Sequence, residues 1–166
     1  GDDQQDVFFR VYNNDGSPVA SSTRVSVAVQ EDHLEYILPL GTGGFVVLMR
    51  IDEDVIGNNK DDYFFQAFNA SGVSTSGALI NISGGAHDLA FQSTDAGYPM
   101  VEVGNGTFVV TWEARDDMDG NGTGSFFRIF NTNGTPITGV IMPYADINPS
   151  GTGNQGTPGP IVTGLV

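Results

Sequence analysis

The sequence predicts an all-β protein made of antiparallel four-stranded meander repeats that stack like β-propeller blades, with a duplicated β-sandwich as the alternative. Two recurrences and one pattern predict this. Val7–Ala20 (VFFRVYNNDGSPVA), Tyr63–Ser76 (YFFQAFNASGVSTS) and Ser125–Thr138 (SFFRIFNTNGTPIT) align without gaps, each with a Phe pair, a polar residue, an apolar residue, an aromatic, Asn and then Gly three residues later. Leu40–Leu48 (LGTGGFVVL) matches Val103–Thr111 (VGNGTFVVT). The copies lie about 60 residues apart, a period suited to a multi-strand repeat. The third observation is that the runs rich in Val, Phe and Ile are apolar at successive positions. A two-layer sandwich alternates apolar and polar residues; strands apolar on both faces imply sheets held between other sheets.

The best-preserved unit is Tyr98–Gly139, and its strands can be assigned as A to D. Strand A is Pro99–Val103, B is Thr107–Ala114, C is Ser125–Phe130 and D is Thr135–Pro143. β-branched and aromatic residues dominate these runs, and Gly/Asn clusters bound them. Gly104-Asn105-Gly106 and Asn131–Gly134 are hairpin turns, where Gly and Asn supply positive φ. In B, Phe108, Val110 and Trp112 point one way and Val109 and Thr111 the other, a pattern repeated by Phe45–Met49. In C, Phe126 and Phe130 flank Arg128 opposite Phe127 and Ile129. Phe8, Phe64 and Phe126 are expected to be buried at equivalent places, as are Phe45 and Phe108. D is more polar, as suits an outer edge.

Taken in order, residues 1–34 hold a partial unit with C (Val7–Tyr12) and D (from Ser17) but no A or B. Val25–Val29 extends D or adds a strand, and Glu31-Asp32-His33 is a polar link. Residues 35–97 form a full unit whose last stretch, Ser83–Gly97, is long for a loop and has room for a short extra element. Residues 98–147 form the next unit. Residues 148–166 are a Gly/Pro linker followed by an A-like strand, Pro160–Val166. No helix is expected, because no segment keeps a 3.6-residue period with caps. The chain begins at Gly1, so either a leader has been removed or the sequence is part of something longer.

The 166 residues carry a formal net charge of −14, and Lys60 is the single lysine. Six scattered cationic residues cannot assemble a basic patch, which argues against nucleic acid and anionic membrane surfaces as partners. No apolar run approaches transmembrane length, so membrane insertion is not expected. Cysteine is absent, which suits a secreted protein that does without disulfides.

The B–C loops are acidic in every unit. In Asp116–Thr123 the oxygen-bearing side chains of Asp117, Asp119 and Asn121 fall on alternate positions, followed by Thr123, with Gly between. Hard oxygen donors and glycines that let the chain wrap are the grammar of a calcium loop. Asp117, Asp119, Asn121 and Thr123 are the metal-ligand candidates, although no Glu closes the loop at EF-hand distance. The matching loops hold Asp2, Asp3 and Asp6 in the first unit and Asp52, Glu53, Asp54, Asn58, Asp61 and Asp62 in the second. His33 and His87 sit beside Asp32 and Asp88 but not at equivalent places, and read as surface residues. Trp112 reads as core, with Tyr98 and Tyr144 as the aromatics for stacking on a sugar. Asn69, Asn81, Asn105, Asn121 and Asn133 head glycosylation sequons, three of which are simply N-G-T turns.

The blocks GGFVV (Gly43–Val47) and GTFVVTWEARDD, DGNGTG, SFFRIFNTNGTPITG resemble repeats of very large secreted bacterial proteins, often found beside RTX-type calcium-binding segments and adhesin modules. The resemblance covers the second and third units and the second half of the first. It implies an extracellular or cell-surface setting rich in calcium, and a structural or adhesive role. This chain has no glycine-rich nonapeptide array, and its Asp52–Asp62 loop lacks the DGNG core. The expected function is thus an extracellular structural or adhesive module or assembly subunit, not an enzyme. It is expected to be calcium-stabilised and to polymerise by strand addition with copies of itself or the remainder of a longer chain. Ile161, Val162, Leu165 and Val166 are the expected donor residues. The alternative is a lectin-like carbohydrate-binding module. A glycoside-acting enzyme using Glu102 and Glu113 ranks third.

Overall fold

In the computed structural model, residues 6–25, 32–51, 62–85, 89–90, 99–104, 106–114 and 124–142 are described. They are all-β, with no helix. The strands are β1 (Phe8–Phe9), β2 (Thr23–Arg24), β3 (Asp32–Pro39), β4 (Phe45–Ile51), β5 (Asp62–Phe68), β6 (Ile80–Asn81), β7 (Leu89–Ala90), β8 (Met100–Gly104), β9 (Thr107–Ala114) and β10 (Gly124–Asn131). All pairings are antiparallel. They give a two-stranded sheet β1-β2, a four-stranded meander β3-β4-β5-β6, and a sheet in which β9 pairs with β10 on one side and with β7 and β8 on the other. We call these sheets one, two and three.

The turn after the Phe pair has the same construction in each unit. Tyr12 bridges Pro18, Phe68 bridges Ser74, and Phe130 bridges Pro136. The Asn13, Asn69 and Asn131 amides donate to the carbonyls of Ser17, Val73 and Thr135, and Gly16, Gly72 and Gly134 donate back to the three Asn carbonyls. In the second and third units the Asn side chain closes the turn, whereas Asn13 Nδ2 donates to the Ser17 hydroxyl. Asn69 Oδ1 accepts from the amides of Ser71 and Val73, and Asn131 Oδ1 from those of Asn133 and Thr135. An Asx turn of this kind holds the loop closed from within.

The sheets pack face to face, with sheet two in the middle. One face of sheet two (Val46, Leu48, Tyr63, Phe65, Ala67) shares a core with Phe108, Val110, Trp112, Phe126 and Phe130 of sheet three. The opposite face (Val47, Met49, Phe68, with Phe45 beside them) meets Val7, Val25 and Phe9 of sheet one. The both-face-apolar strands β4 and β5 therefore do lie between two other layers, while β9 and β10 have a sheet on one face among the described residues. Val46, Val47, Leu48 and Met49, four consecutive residues, are at most 1 % exposed.

Several sequence expectations change in detail. Phe64 and Phe126 are buried, but Phe8 is 57 % exposed, because its face of β1 has no sheet packed on it among the described residues. Phe45 is half-buried where Phe108 is fully buried. Asp32 and His33 are not a link; they begin β3, three positions ahead of the expected unit boundary, and Asp32 is buried. Strand D of the third unit is a pair of isolated bridges, Phe130–Pro136 and Phe127–Ile141. The short extra element expected within Ser83–Gly97 is β7. Leu89 stands opposite Ala114 as Asp32 stands opposite Ile51, and Met100 stands opposite Val110 as Ile37 stands opposite Val47. Strand A of sheet three is thus in two pieces. In sequence, nine residues separate Ala90 from Met100 where three separate His33 from Ile37, and β3 has a register shift between Leu34 and Tyr36.

Candidate functional site

The surface with the most specific chemistry is the interface between stacked sheets, and it is built twice. Between sheets one and two, Phe9 meets Phe45 edge-on at 5.0 Å and Phe68 at 4.6 Å, while Phe45 and Phe68 stack at 5.2 Å. Between sheets two and three, Phe65 meets Phe108 edge-on at 5.1 Å and Phe130 at 4.8 Å, while Phe108 and Phe130 stack at 5.9 Å. Phe9 and Phe65 share one repeat position, Phe45 and Phe108 another, Phe68 and Phe130 a third. Each interface is a strand-C ring driven into a cleft between a strand-B and a strand-C ring of the next sheet. Edge-to-face and offset pairs contribute about 0.5–1.5 kcal/mol each beyond the area they bury. Phe127 occupies the Phe9/Phe65 position on the far face of sheet three, half-buried, with no ring partner among the described residues.

Polar contacts repeat along with the rings. Arg10 Nε donates to the Ala20 carbonyl at 3.1 Å and Arg128 Nε to the Thr138 carbonyl at 3.1 Å; Gln66 Nε2 reaches the Gly77 carbonyl at 2.6 Å. The Arg10 and Arg128 guanidinium groups also lie over the rings of Tyr12 and Phe130. The polar residue after each Phe pair is therefore a clamp from strand C to strand D. The alignment exposes its Arg/Gln/Arg identity, but its carbonyl partner lies ten or eleven residues on and is not visible in the sequence. Glu102 was also missed as a tie between units: its Oε2 accepts the Gly41 amide at 2.6 Å, linking β8 to the β3–β4 turn. Thr75 Oγ1 donates to the Thr132 carbonyl at 2.6 Å across the same pair of sheets.

The metal candidates Asp117, Asp119, Asn121 and Thr123 lie outside the described residues, but the ends of their loop do not. Ala114 and Gly124 face each other in register, so residues 115–123 close the β9–β10 hairpin. Among the described residues, no group of three or more His, Cys, Asp or Glu is placed to hold a metal ion. His87, Tyr98 and Tyr144 also lie outside. His33 is half-buried on β3, opposite Arg50. Trp112 is 1 % exposed and stacks on Phe126, as a core residue does; its indole N–H has no acceptor among the described residues.

Glu102 and Glu113 do not come together. Glu102 stands opposite Phe108, and Glu113 lies further along β9 on the other face. At ~3.4 Å per residue, the offset from Phe108 to Glu113 is roughly 17 Å. A glycoside-cleaving pair needs its carboxylates about 5–9.5 Å apart. Asn81, one of the sequon residues, spends its Oδ1 on the amides of Ser83 and Gly84. Family models, curated proteins and solved structures were all compared with the chain, and none matches.

Proposed function

We propose that this chain is an extracellular or cell-surface structural module that extends by stacking, joining copies of itself or further units of a longer polypeptide. The observation that carries the reading is the duplicated ring-in-cleft interface. The same three repeat positions meet with nearly the same geometry at both junctions. Such an interface is heterologous, because one face inserts and the other receives. It propagates into a ring or filament rather than closing on a twofold axis. Phe127 supplies the inserting ring for a further junction. The adhesive part of the role, and donation of Pro160–Val166 as a strand, belong to the same proposal.

Mass in solution over a range of concentrations tests it. Self-association is expected, weakened by Phe127→Asp and by deletion of residues 160–166. A chain that stays monomeric at every concentration, alone and within a longer polypeptide, overturns the reading. A glycan array run alongside should be blank; saturable binding to one sugar class would replace assembly by a lectin-like role.

Calcium at Asp117, Asp119, Asn121 and Thr123 is part of the proposal. Carboxylates as close in sequence as Asp116, Asp117 and Asp119 repel one another unless a cation screens them. A cation that binds only the folded chain raises its stability by mass action. Tm is expected to rise in millimolar Ca²⁺ and to lose that response in Asp119→Ala; a Tm indifferent to both Ca²⁺ and EDTA refutes the site.

A further inference from the structure

Among the described residues, sheet one is half of the unit that sheets two and three complete. In sheet two, the C-position strand β5 pairs along its whole length with the B strand β4. In sheet three, β10 pairs in the same way with β9. Among the described residues β1 pairs with β2 alone. Its direction is readable from the backbone. The Val25 amide donates to the Val7 carbonyl and the Val19 amide to the Val11 carbonyl, so Val7 and Val11 face the strand-D side. In an antiparallel ladder, successive residues direct their N–H and C=O groups to opposite edges. Phe8, Arg10 and Tyr12 therefore present theirs to the edge where a B strand would lie.

A second observation points to the same gap. Leu34 and Ile37 of β3 stand opposite Met49 and Val47, on the face of sheet two that looks toward sheet one. They are 51 % and 45 % exposed. Met100 holds the Ile37 position in sheet three, opposite Val110, and is 1 % exposed, because β8 packs against β3 of the preceding sheet. The difference is the neighbour. Met100 has an A strand of the preceding sheet over it, whereas Ile37 looks toward the place where sheet one, among the described residues, has neither A nor B.

We infer that the edge of β1 left without a strand among the described residues, together with the apolar shelf of Leu34 and Ile37, is an acceptor for an extended polypeptide strand from another chain. The occupant is a B-type strand, apolar on both faces, of which Thr107–Ala114 is the pattern in this sequence. It would add antiparallel to Phe8–Tyr12, taking main-chain hydrogen bonds from that edge and laying one row of side chains on Leu34 and Ile37. Alternate side chains then set selectivity, as in other strand additions. A strand that is polar on one face would leave polar groups against the shelf. The inference rests on the stacking proposal for its biological sense, but it concerns the opposite end of the stack from Phe127.

The test uses the full chain and a fluorescently labelled peptide of sequence GNGTFVVTWEA, corresponding to residues 104–114. Saturable binding is expected, together with slowed amide exchange at Phe8, Arg10 and Tyr12. Leu34→Lys combined with Ile37→Lys should weaken binding at least tenfold while leaving Tm near wild type, since both side chains are already exposed. A peptide with Pro in place of its second valine should not bind. Equal binding to wild type and the double variant overturns the inference, as does no binding at all. So does strong protection of the three amides in the monomeric chain before peptide is added, which would mean the chain fills its own edge. Self-association lost in Phe127→Asp with peptide binding intact would separate this edge from the stacking face.

Discussion

Tyr12, Phe68 and Phe130 occupy one column of the repeat, so truncating each to Ala varies only the surroundings. Tyr12 is 55 % exposed, Phe68 3 % and Phe130 0 %. Truncating a buried Phe costs about 3–5 kcal/mol, from lost transfer energy and the cavity left behind. Phe130 sits at the upper end of that range, since it also gives up the rings of Phe65 at 4.8 Å and Phe108 at 5.9 Å. Phe68 loses the equivalent pair, Phe9 and Phe45, but Phe45 is only half-buried, which places it lower in the range. Tyr12 already shows more than half its surface to water, so its truncation costs about 1 kcal/mol, a fraction of the ~1.5–3 kcal/mol for fully burying a large apolar side chain. Against a typical total of about 5–15 kcal/mol, Phe130→Ala loses a large share of the stability, whereas Tyr12→Ala is near wild type. Urea unfolding followed by circular dichroism and by the single tryptophan, Trp112, measures all three. At about 2–4 °C per kcal/mol, the thermal midpoints should spread over roughly 10 °C. Equal losses in the three variants would refute the view that stacking, rather than the local turn, fixes the energetics of this column.

Gly16 and Gly134 have almost the same backbone, with φ of 81° and 84°, but a Cβ at Gly16 meets open space while one at Gly134 lies 3.0 Å from Ile80 and 3.1 Å from Ser76. Gly16→Ala is expected to cost only the left-handed strain, about 1–2 kcal/mol, and Gly134→Ala clearly more; thermal melts that rank them the other way refute the packing of this turn on sheet two. At Gly44 a Cβ would collide with the Phe68 carbonyl oxygen of the paired strand, so Gly44→Ala should lower Tm by several degrees, and an unchanged Tm would contradict the β4–β5 register. The Ser17 hydroxyl, and then the Ser17 amide, hold the Asp15 carboxyl below its ordinary value of 3.8. A depressed folded value means that this contribution to the turn is present above the unfolded value and is lost as pH falls through the folded one. An NMR titration should place the Asp15 midpoint below that of Ser17→Ala, and coincident midpoints would refute the hydrogen bond.

Local chemistry was legible in the residues. Recurring Asn and Gly set the three turns: Gly supplies a positive φ in each, and the Asn side chain makes an Asx bond in the second and third, while Asp15 accepts the Ser17 amide in the first. Strands β8, β9 and β10 fall within a residue of where the β-branched and aromatic runs place them. Apolarity on both faces of β4 also foretold a sheet held between others, because Val and Phe at successive positions need cover on both sides; β9 carries the same pattern but has a sheet on one face among the described residues. The oxygen-donor pattern of Asp117 to Thr123 is a sequence expectation that lies outside the described residues, between the paired Ala114 and Gly124. What the tertiary structure decided is which copies of a repeated residue are covered. Phe8 and Phe126 are the same letter in the same column, yet one is 57 % exposed and the other 3 %, because exposure depends on whether a neighbouring sheet is present. The same holds for Ile37 and Met100. The two halves of strand A in sheet three, the reach of Glu102 to Gly41 and the clamp from Arg128 to Thr138 join residues far apart in the chain. A repeat tells each unit how to fold; only the stack tells each face what it touches.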